Sequence, residues 1–213
     1  MIIGLVGFIG AGKDTVADYL VNWHEFKRES FASSLKDAVS AVFGWDRDLL
    51  EGRTKESREW REQVDAWWSV RLSMPHLTPR WILQYWGTEV CRGAFHDDIW
   101  IASVESKLRQ SKDDIVISDC RFPNEVLAIK RAGGKVVWVK RGPTPVWYDC
   151  AMLTLKTPYD DLWFLQDQGE SMCTKYHTVH ASEWSWVATD FDQVINNDGT
   201  VEQLYEQIKN LRQ

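Results

Sequence analysis

Residues 2–7 form a short aliphatic run that ends on glycine, and Gly7-Phe8-Ile9-Gly10-Ala11-Gly12-Lys13 then repeats the spacing G-x-x-x-x-G-K. The run predicts a buried parallel strand. Beyond Lys13, Val16, Ala17 and Leu20 share one face of a predicted helix. A glycine-rich turn between a strand and a helix can direct backbone N–H groups inward, where the helix N-terminus adds positive potential. Such a turn is a phosphate cradle. Lys13 is placed to reach the terminal phosphates of a nucleoside triphosphate, and a turn built only for tight packing has no need of it.

The motif departs from its usual form at the next position. Asp14 stands where a serine or threonine is common, and Thr15 follows. A carboxylate beside a triphosphate repels it unless it points away, so Asp14 is expected to orient a water or a neighbouring basic side chain, or to sit near the metal. The Thr15 hydroxyl becomes the candidate contact to phosphate or Mg²⁺.

Downstream, helical and aliphatic segments alternate. Residues 26–31 read as a weaker second strand. Leu35, Val39, Val42 and Phe43 mark a helix running to Gly44, and 52–70 is charged and helical, with Arg58, Glu59, Arg61 and Glu62 expected to face water. Pro79 sits where proline opens a helix, predicted to run over 81–93; Asp97 or Asp98 caps another, ending near Gln110. Strands are expected at 115–118 and 136–139, with a helix over 124–132 between them, and at 194–195 before a final helix. The result is an α/β chain: a P-loop NTPase-type parallel sheet with helices on both faces. Residues 142–186 show no sustained period and are expected to form an inserted lid or flap rather than core. At 213 residues the chain reads as a single domain over 1–213.

Charge and composition exclude several function classes. With 25 Lys and Arg against 31 Asp and Glu, the net charge is −6, which disfavours non-specific binding to nucleic acid or to an anionic membrane. No apolar run is long enough to span a bilayer and no basic leader precedes the first strand, so a cytoplasmic protein is expected. Cys91, Cys120, Cys150 and Cys173 lack paired spacing and read as reduced thiols used as small core residues. The 13 tryptophans are unusual. They fit a wide aromatic core, a ring that holds a base, or the interface of a homodimer.

A phosphoryl acceptor needs cations and a dry site. Lys36 opens the helix after the second strand, where the edge of a parallel sheet binds ligands. Arg53, Lys55 and Arg58 form a charged helical patch. Thr78-Pro79-Arg80, Gly87-Thr88-Glu89 and the stretch 95–100 are denser in polar residues than a packing helix needs. Asp119 ends a strand, placed like an acidic residue that supports Mg²⁺, and Arg121 lies two positions on.

Together, GFIGAGKDT (7–15), FASSLKDAV (31–39), TPRWILQYWGTEV (78–90), FHDDIW (95–100), DCRFPNE (119–125), HASE (180–183) and NDGT (197–200) resemble the deoxynucleoside monophosphate kinases of tailed bacteriophages. The resemblance implies transfer of the γ-phosphoryl of ATP, with Mg²⁺, to a deoxynucleoside 5′-monophosphate in the cytoplasm of an infected bacterium. It implies that Gly10, Ala11, Gly12, Lys13, Asp14 and Thr15 hold ATP and that Lys13 and Arg121 are catalytic. Lys36, Arg80, Gly87, Thr88, Trp100 and Arg121 would surround the acceptor, with Trp100 able to stack on the base. Asn197-Asp198-Gly199 would lie near the adenine or simply start a helix. Arg141 and His180 are the lid residues to watch. Alternatives are a related small-molecule kinase, such as a dephospho-coenzyme A kinase, or an NTP-driven switch or ATPase. Against the switch, no Asn-Lys-x-Asp motif is present.

Overall fold

In the computed structural model, which describes residues 1–212, five parallel strands lie in the order β2-β3-β1-β4-β5. They are β1 (Ile2–Val6), β2 (Lys27–Glu29), β3 (Ile115–Ile117), β4 (Lys135–Lys140) and β5 (Gln193–Asn196). β1 is central: Ile3 aligns with Val116 of β3 and with Lys135 of β4. This explains its unbroken aliphatic run, because a central parallel strand is covered on both faces. The expected second strand shrinks to three residues at the sheet edge.

The backbone clusters into two compact units, Met1–Ser30 with Lys107–Gln213, and Phe31–Ser106; Gln213 itself lies outside the described residues. In the first unit, helix α1 (Lys13–His24) leaves β1 through the glycine turn.

The second unit is helical: α2 (Ser33–Phe43), α3 (Arg47–Glu51), α4 (Lys55–Arg61), α5 (Ala66–Arg71) and α6 (Pro79–Tyr85). The single charged helix expected over 52–70 is in fact broken, because Thr54 and Asp65 restart the chain as N-caps. The Thr54 hydroxyl accepts from the Ser57 N–H, and the Asp65 carboxylate from the Trp68 N–H. α6 runs into a ten-residue π-helix, Trp86–Phe95, in place of the continuous α-helix expected over 81–93. Helix α7 (Ile99–Gln110) begins directly after Asp98. Leu35, Val39, Phe43, Trp45, Leu50, Leu77, Ile82 and Trp100 form this unit's core, flanked by Trp60, Trp68, Trp81 and Trp86. Val42, expected on the buried face, is exposed. Buried indoles need a polar partner: Trp45 donates to Asp65 at 2.8 Å and Trp68 to the Phe43 carbonyl at 3.1 Å.

The first unit continues with α8 (Pro123–Arg131), α9 (Tyr148–Lys156), α10 (Leu162–Asp167), α11 (Met172–Lys175), α12 (Ala181–Trp184) and α13 (Val201–Lys209). The β1-to-β2 connection crosses the sheet in one direction and β3-to-β4 in the other, so right-handed crossovers place their helices on opposite faces. Ile3 and Leu5 accordingly pack with Val16 and Leu20 of α1 and with Leu204 and Ile208 of α13. Gly4 points the other way, against Ile129 of α8.

Residues 142–186 are not aperiodic in space. They hold four α-helices of four to nine residues and a 3-10 turn at Tyr159–Asp161, separated by turns that interrupt any period along the sequence, and parts of the segment are core: Ala151, Met172 and Trp186 are buried. Phe8 of the glycine turn meets Trp147 at 5.4 Å and Trp186 at 5.0 Å between ring centroids. All four cysteines are free thiols; only Cys120 is buried, and Cys173 is exposed. Among the described residues, no helix is long and apolar enough to cross a membrane.

Candidate active site

The glycine turn closes on itself through an Ala11 N–H to Phe8 carbonyl bond of 3.2 Å, and the Gly12 carbonyl accepts the Val16 N–H of α1 at 3.0 Å. Gly12 has φ +97°, and a Cβ there would lie 2.3 Å from Nδ2 of Asn197. The position therefore demands glycine twice, for its backbone and for its neighbour. The first N–H groups of α1 have no partner within the helix, which leaves them for an anion.

Lys13 curls back over this turn. Its Nζ donates to the Gly7 carbonyl at 2.7 Å and the Phe8 carbonyl at 3.0 Å. Burial, then the nearby charge of Arg121, push its ammonium below the usual lysine range, while Asp14 and Glu183 pull it back up. The ammonium is thus held at the glycine-rich turn under the repulsion of a second cation.

Asp14 turns away from the cradle. Its carboxylate lies 3.4 Å from Arg28 Nη1 and accepts the Ser118 hydroxyl at 3.4 Å, and Arg28 also donates to its carbonyl at 3.0 Å. The departure from the usual motif is accommodated by an arginine on β2 that takes up the charge. Thr15 is exposed in the first turn of α1.

Arg121 leaves the loop after β3. Its Nη1 donates to the Glu183 carboxylate at 3.1 Å and the Ser182 hydroxyl at 3.3 Å. Ser182 is fixed in turn by His180, whose Nδ1 accepts the Ser182 N–H at 3.2 Å as the N-cap of α12. His180 is therefore a structural cap that helps present Glu183. The loop is held from below by Glu125, a buried carboxylate that accepts the backbone N–H groups of Arg121 at 2.7 Å and Phe122 at 3.2 Å. Asp119 accepts the Ser30 hydroxyl at 2.8 Å.

The other expected residues fall in the second unit. Lys36 is paired with Glu51 at 2.8 Å, and Arg80 with Glu62 at 3.3 Å on an exposed surface. Gly87 and Thr88 sit in the π-helix. Trp100 is 9% exposed, packed in the core, with its indole N–H on the Gly87 carbonyl at 2.9 Å. So placed, the ring is mostly enclosed by the core of this unit. Its visible work is to pin Gly87.

The sequence assigns no role of their own to Glu125 and Glu183, and for Asn197 it offers a place near the adenine or at a helix start rather than its bond to the Ala11 carbonyl at 2.9 Å; all three lie in motifs that carry the resemblance. Glu125 had a readable signal, an acidic residue two positions after the helix-opening Pro123. Glu183 and Asn197 act on groups 62 and 186 positions away, and no local pattern announces that.

A mid-sheet strand that runs into a glycine-rich turn, with Lys13 folded back over that turn, is the arrangement that the sequence predicts for a kinase. No family model matches the chain. It is 32% identical over 155 residues to a protein of Acanthamoeba polyphaga mimivirus named as a deoxynucleotide monophosphate kinase, covering 66% of this chain and 74% of the relative. It is 28% identical over 174 residues to the deoxynucleoside-5′-monophosphate kinase of Escherichia phage T5, covering 59% of this chain and 70% of that one. A shikimate kinase of Aquifex aeolicus superposes with 14% identity and a TM-score of 0.43 over 99% of this chain and 95% of its own, too loosely to carry an argument. The chain belongs to the deoxynucleoside monophosphate kinase family.

Proposed function

We propose that this chain transfers the γ-phosphoryl group of ATP to the 5′-phosphate of a deoxynucleoside monophosphate, giving the diphosphate and ADP. The observation that carries this reading is the glycine-rich turn with Lys13 folded over it, its Nζ on the Gly7 and Phe8 carbonyls, in a chain of this family. An oxygen of the acceptor phosphate forms a bond to the γ-phosphorus as the bond to the β,γ-bridging oxygen breaks. That oxygen is already ionised near neutral pH, so no strong general base is required. The protein's contribution is positioning and charge neutralisation.

In this reading the turn from Gly10 to Thr15 holds the donor, and Lys13 and Arg121 neutralise the charge that builds on the transferring group. Lys36, Arg80, Gly87 and Thr88 belong to the acceptor side. Among the described residues, no group of three or more His, Cys, Asp or Glu is placed to hold a metal. Mg²⁺ at phosphoryl-transfer sites is usually bound by one or two carboxylates together with substrate phosphates and water. The exposed Thr15 hydroxyl and the Asp119 carboxylate are the protein groups that would hold the ion, which would supply further charge neutralisation to the transferring group. Small-molecule substrates and the cytoplasm of an infected host complete the proposal. Family membership favours it over a dephospho-coenzyme A kinase or an NTP-driven switch.

The test is ADP release from ATP and Mg²⁺ with each deoxy- and ribonucleoside monophosphate supplied separately. Release that depends on one or a few deoxynucleotides is expected. Slow release indifferent to the acceptor would overturn the assignment.

A further inference from the structure

Arg61, the last residue of α4, was expected to face water. It is instead half-buried, and the chain around it is shaped to receive it. Its guanidinium lies against Gly52, where a Cβ would stand 2.0 Å from Nη2 and 2.2 Å from Cζ. Gly52 has φ +68°, so both its backbone and its missing side chain make the seat.

Having been seated, the guanidinium is left without a counter-ion. Its Nη1 reaches only the Leu50 carbonyl, at 3.5 Å, and its buried Nε has no partner. No carboxylate of the described residues forms an ion pair with it, although acids are near. Glu51 is taken by Lys36 at 2.8 Å and by Arg47, with Arg53 at 4.0 Å, and Glu62 by Arg80 at 3.3 Å. Burial, then the positive charge of Arg80, push the Arg61 guanidinium below its usual range. A desolvated and unpaired charge is costly to keep, and an arriving anion removes that cost. A guanidinium offers paired donors in a rigid fork that matches the oxygens of a phosphate. Arg80 is well suited to assist, because its pair with Glu62 is exposed and exposed pairs are weak.

We infer that Arg61, seated on Gly52 and assisted by Arg80, binds the 5′-phosphate of the acceptor nucleotide. The inference rests on the kinase reading for the identity of the anion. It also reassigns the acceptor side: Lys36, neutralised by Glu51, supports the patch, and Arg61 makes the contact.

The experiment has two readouts on the purified chain. Steady-state kinetics of Arg61→Gln should show KM for the deoxynucleoside monophosphate raised at least about 10-fold, with KM for ATP unchanged. Equilibrium binding should show that the wild-type chain prefers the monophosphate to the same deoxynucleoside without its phosphate, and that the variant loses this preference. Gly52→Ala, which keeps the arginine but displaces it, should move both readouts the same way. Should Arg61→Gln not fold, Arg61→Lys keeps the charge without the fork and should show a smaller shift of the same sign. An unchanged preference in the folded variants would overturn the inference, as would a wild-type chain indifferent to the phosphate. A wild-type chain that binds the monophosphate through Arg61 but releases no ADP would sink the kinase reading and leave the inference standing.

Discussion

Asn197 donates from Nδ2 to the Ala11 carbonyl at 2.9 Å, and the same nitrogen fills the space that a Cβ on Gly12 would occupy. The asparagine after β5 thus braces the phosphate turn after β1. Its own N–H donates to the Lys140 carbonyl at 2.7 Å, and the neighbouring Asp198 accepts the Gly142 N–H at 2.6 Å. The turn that follows the last strand is built into the cradle.

This bracing predicts coupling between Asn197 and Gly12. Asn197→Ala should cost about 1 kcal/mol of stability and raise KM for ATP. Gly12→Ala should do more, since it adds backbone strain to the clash. In the double variant the clash disappears, so the combined loss in a thermal or denaturant melt should be smaller than the sum of the two. Strict additivity would show that the contact carries no weight.

Lys13→Ala should lower turnover by about 10²–10³-fold, as for loss of one donor to developing charge. The fold should survive, because Lys13 bonds only to exchangeable carbonyls of its own turn. Near-normal turnover in that variant would remove the cradle from the mechanism.

If Arg121 binds a phosphate group as proposed, Glu183, which accepts from its Nη1 at 3.1 Å, is the competitor. Their pair is partly exposed, so its worth is about 0.5–1 kcal/mol. Glu183→Gln should therefore lower KM for ATP roughly 2–5-fold at low salt, with the effect fading as salt rises. A KM that stays put at every ionic strength would mean that Glu183 only positions the loop.

Glu51 gathers the cations of the second unit, and this sets a pH dependence. Burial pushes its carboxyl up, but hydrogen bonds from Lys36 and Arg47 outweigh burial and hold it at about 2, against an ordinary value of 4.5. A carboxyl depressed in the folded state stabilises it fully above pH 4.5, and that stabilisation is lost as pH falls toward 2. Discounted for partial solvation, it amounts to roughly 1–2 kcal/mol. Urea melts of wild type and Glu51→Gln should differ by this much at pH 7, and the gap should narrow below pH 4.5 and close only as pH approaches 2. A constant gap would place the effect in packing instead.

Trp186 ties the segment 142–186 to the phosphate turn. It is 1% exposed and lies against Phe8 and Trp138. Trp186→Ala should cost about 3–5 kcal/mol, as for a large aromatic removed from a core, and should raise KM for ATP by loosening Phe8. A small loss of stability would mean that the segment is detached from the core.

The sequence by itself determined the elements whose signals are local. The aliphatic run of β1 and the glycine-lysine turn placed the cradle, because a buried parallel strand and a phosphate loop each need fixed residue types at short spacing. The alternation of strands and helices settled the α/β class for the same reason. Tertiary structure decided whatever depends on partners distant along the chain. Asp14 was ambiguous until Arg28 and Ser118 stood beside it. The segment 142–186 shows no sustained period because turns separate its helices, yet Trp147 and Trp186 pack on Phe8. The bond from the Trp100 indole to the Gly87 carbonyl and the seat of Arg61 on Gly52 likewise have no signature in local spacing. Charge and burial at such positions are properties of neighbours brought together by folding, and the physical meaning of a side chain there is fixed only once those neighbours are in place.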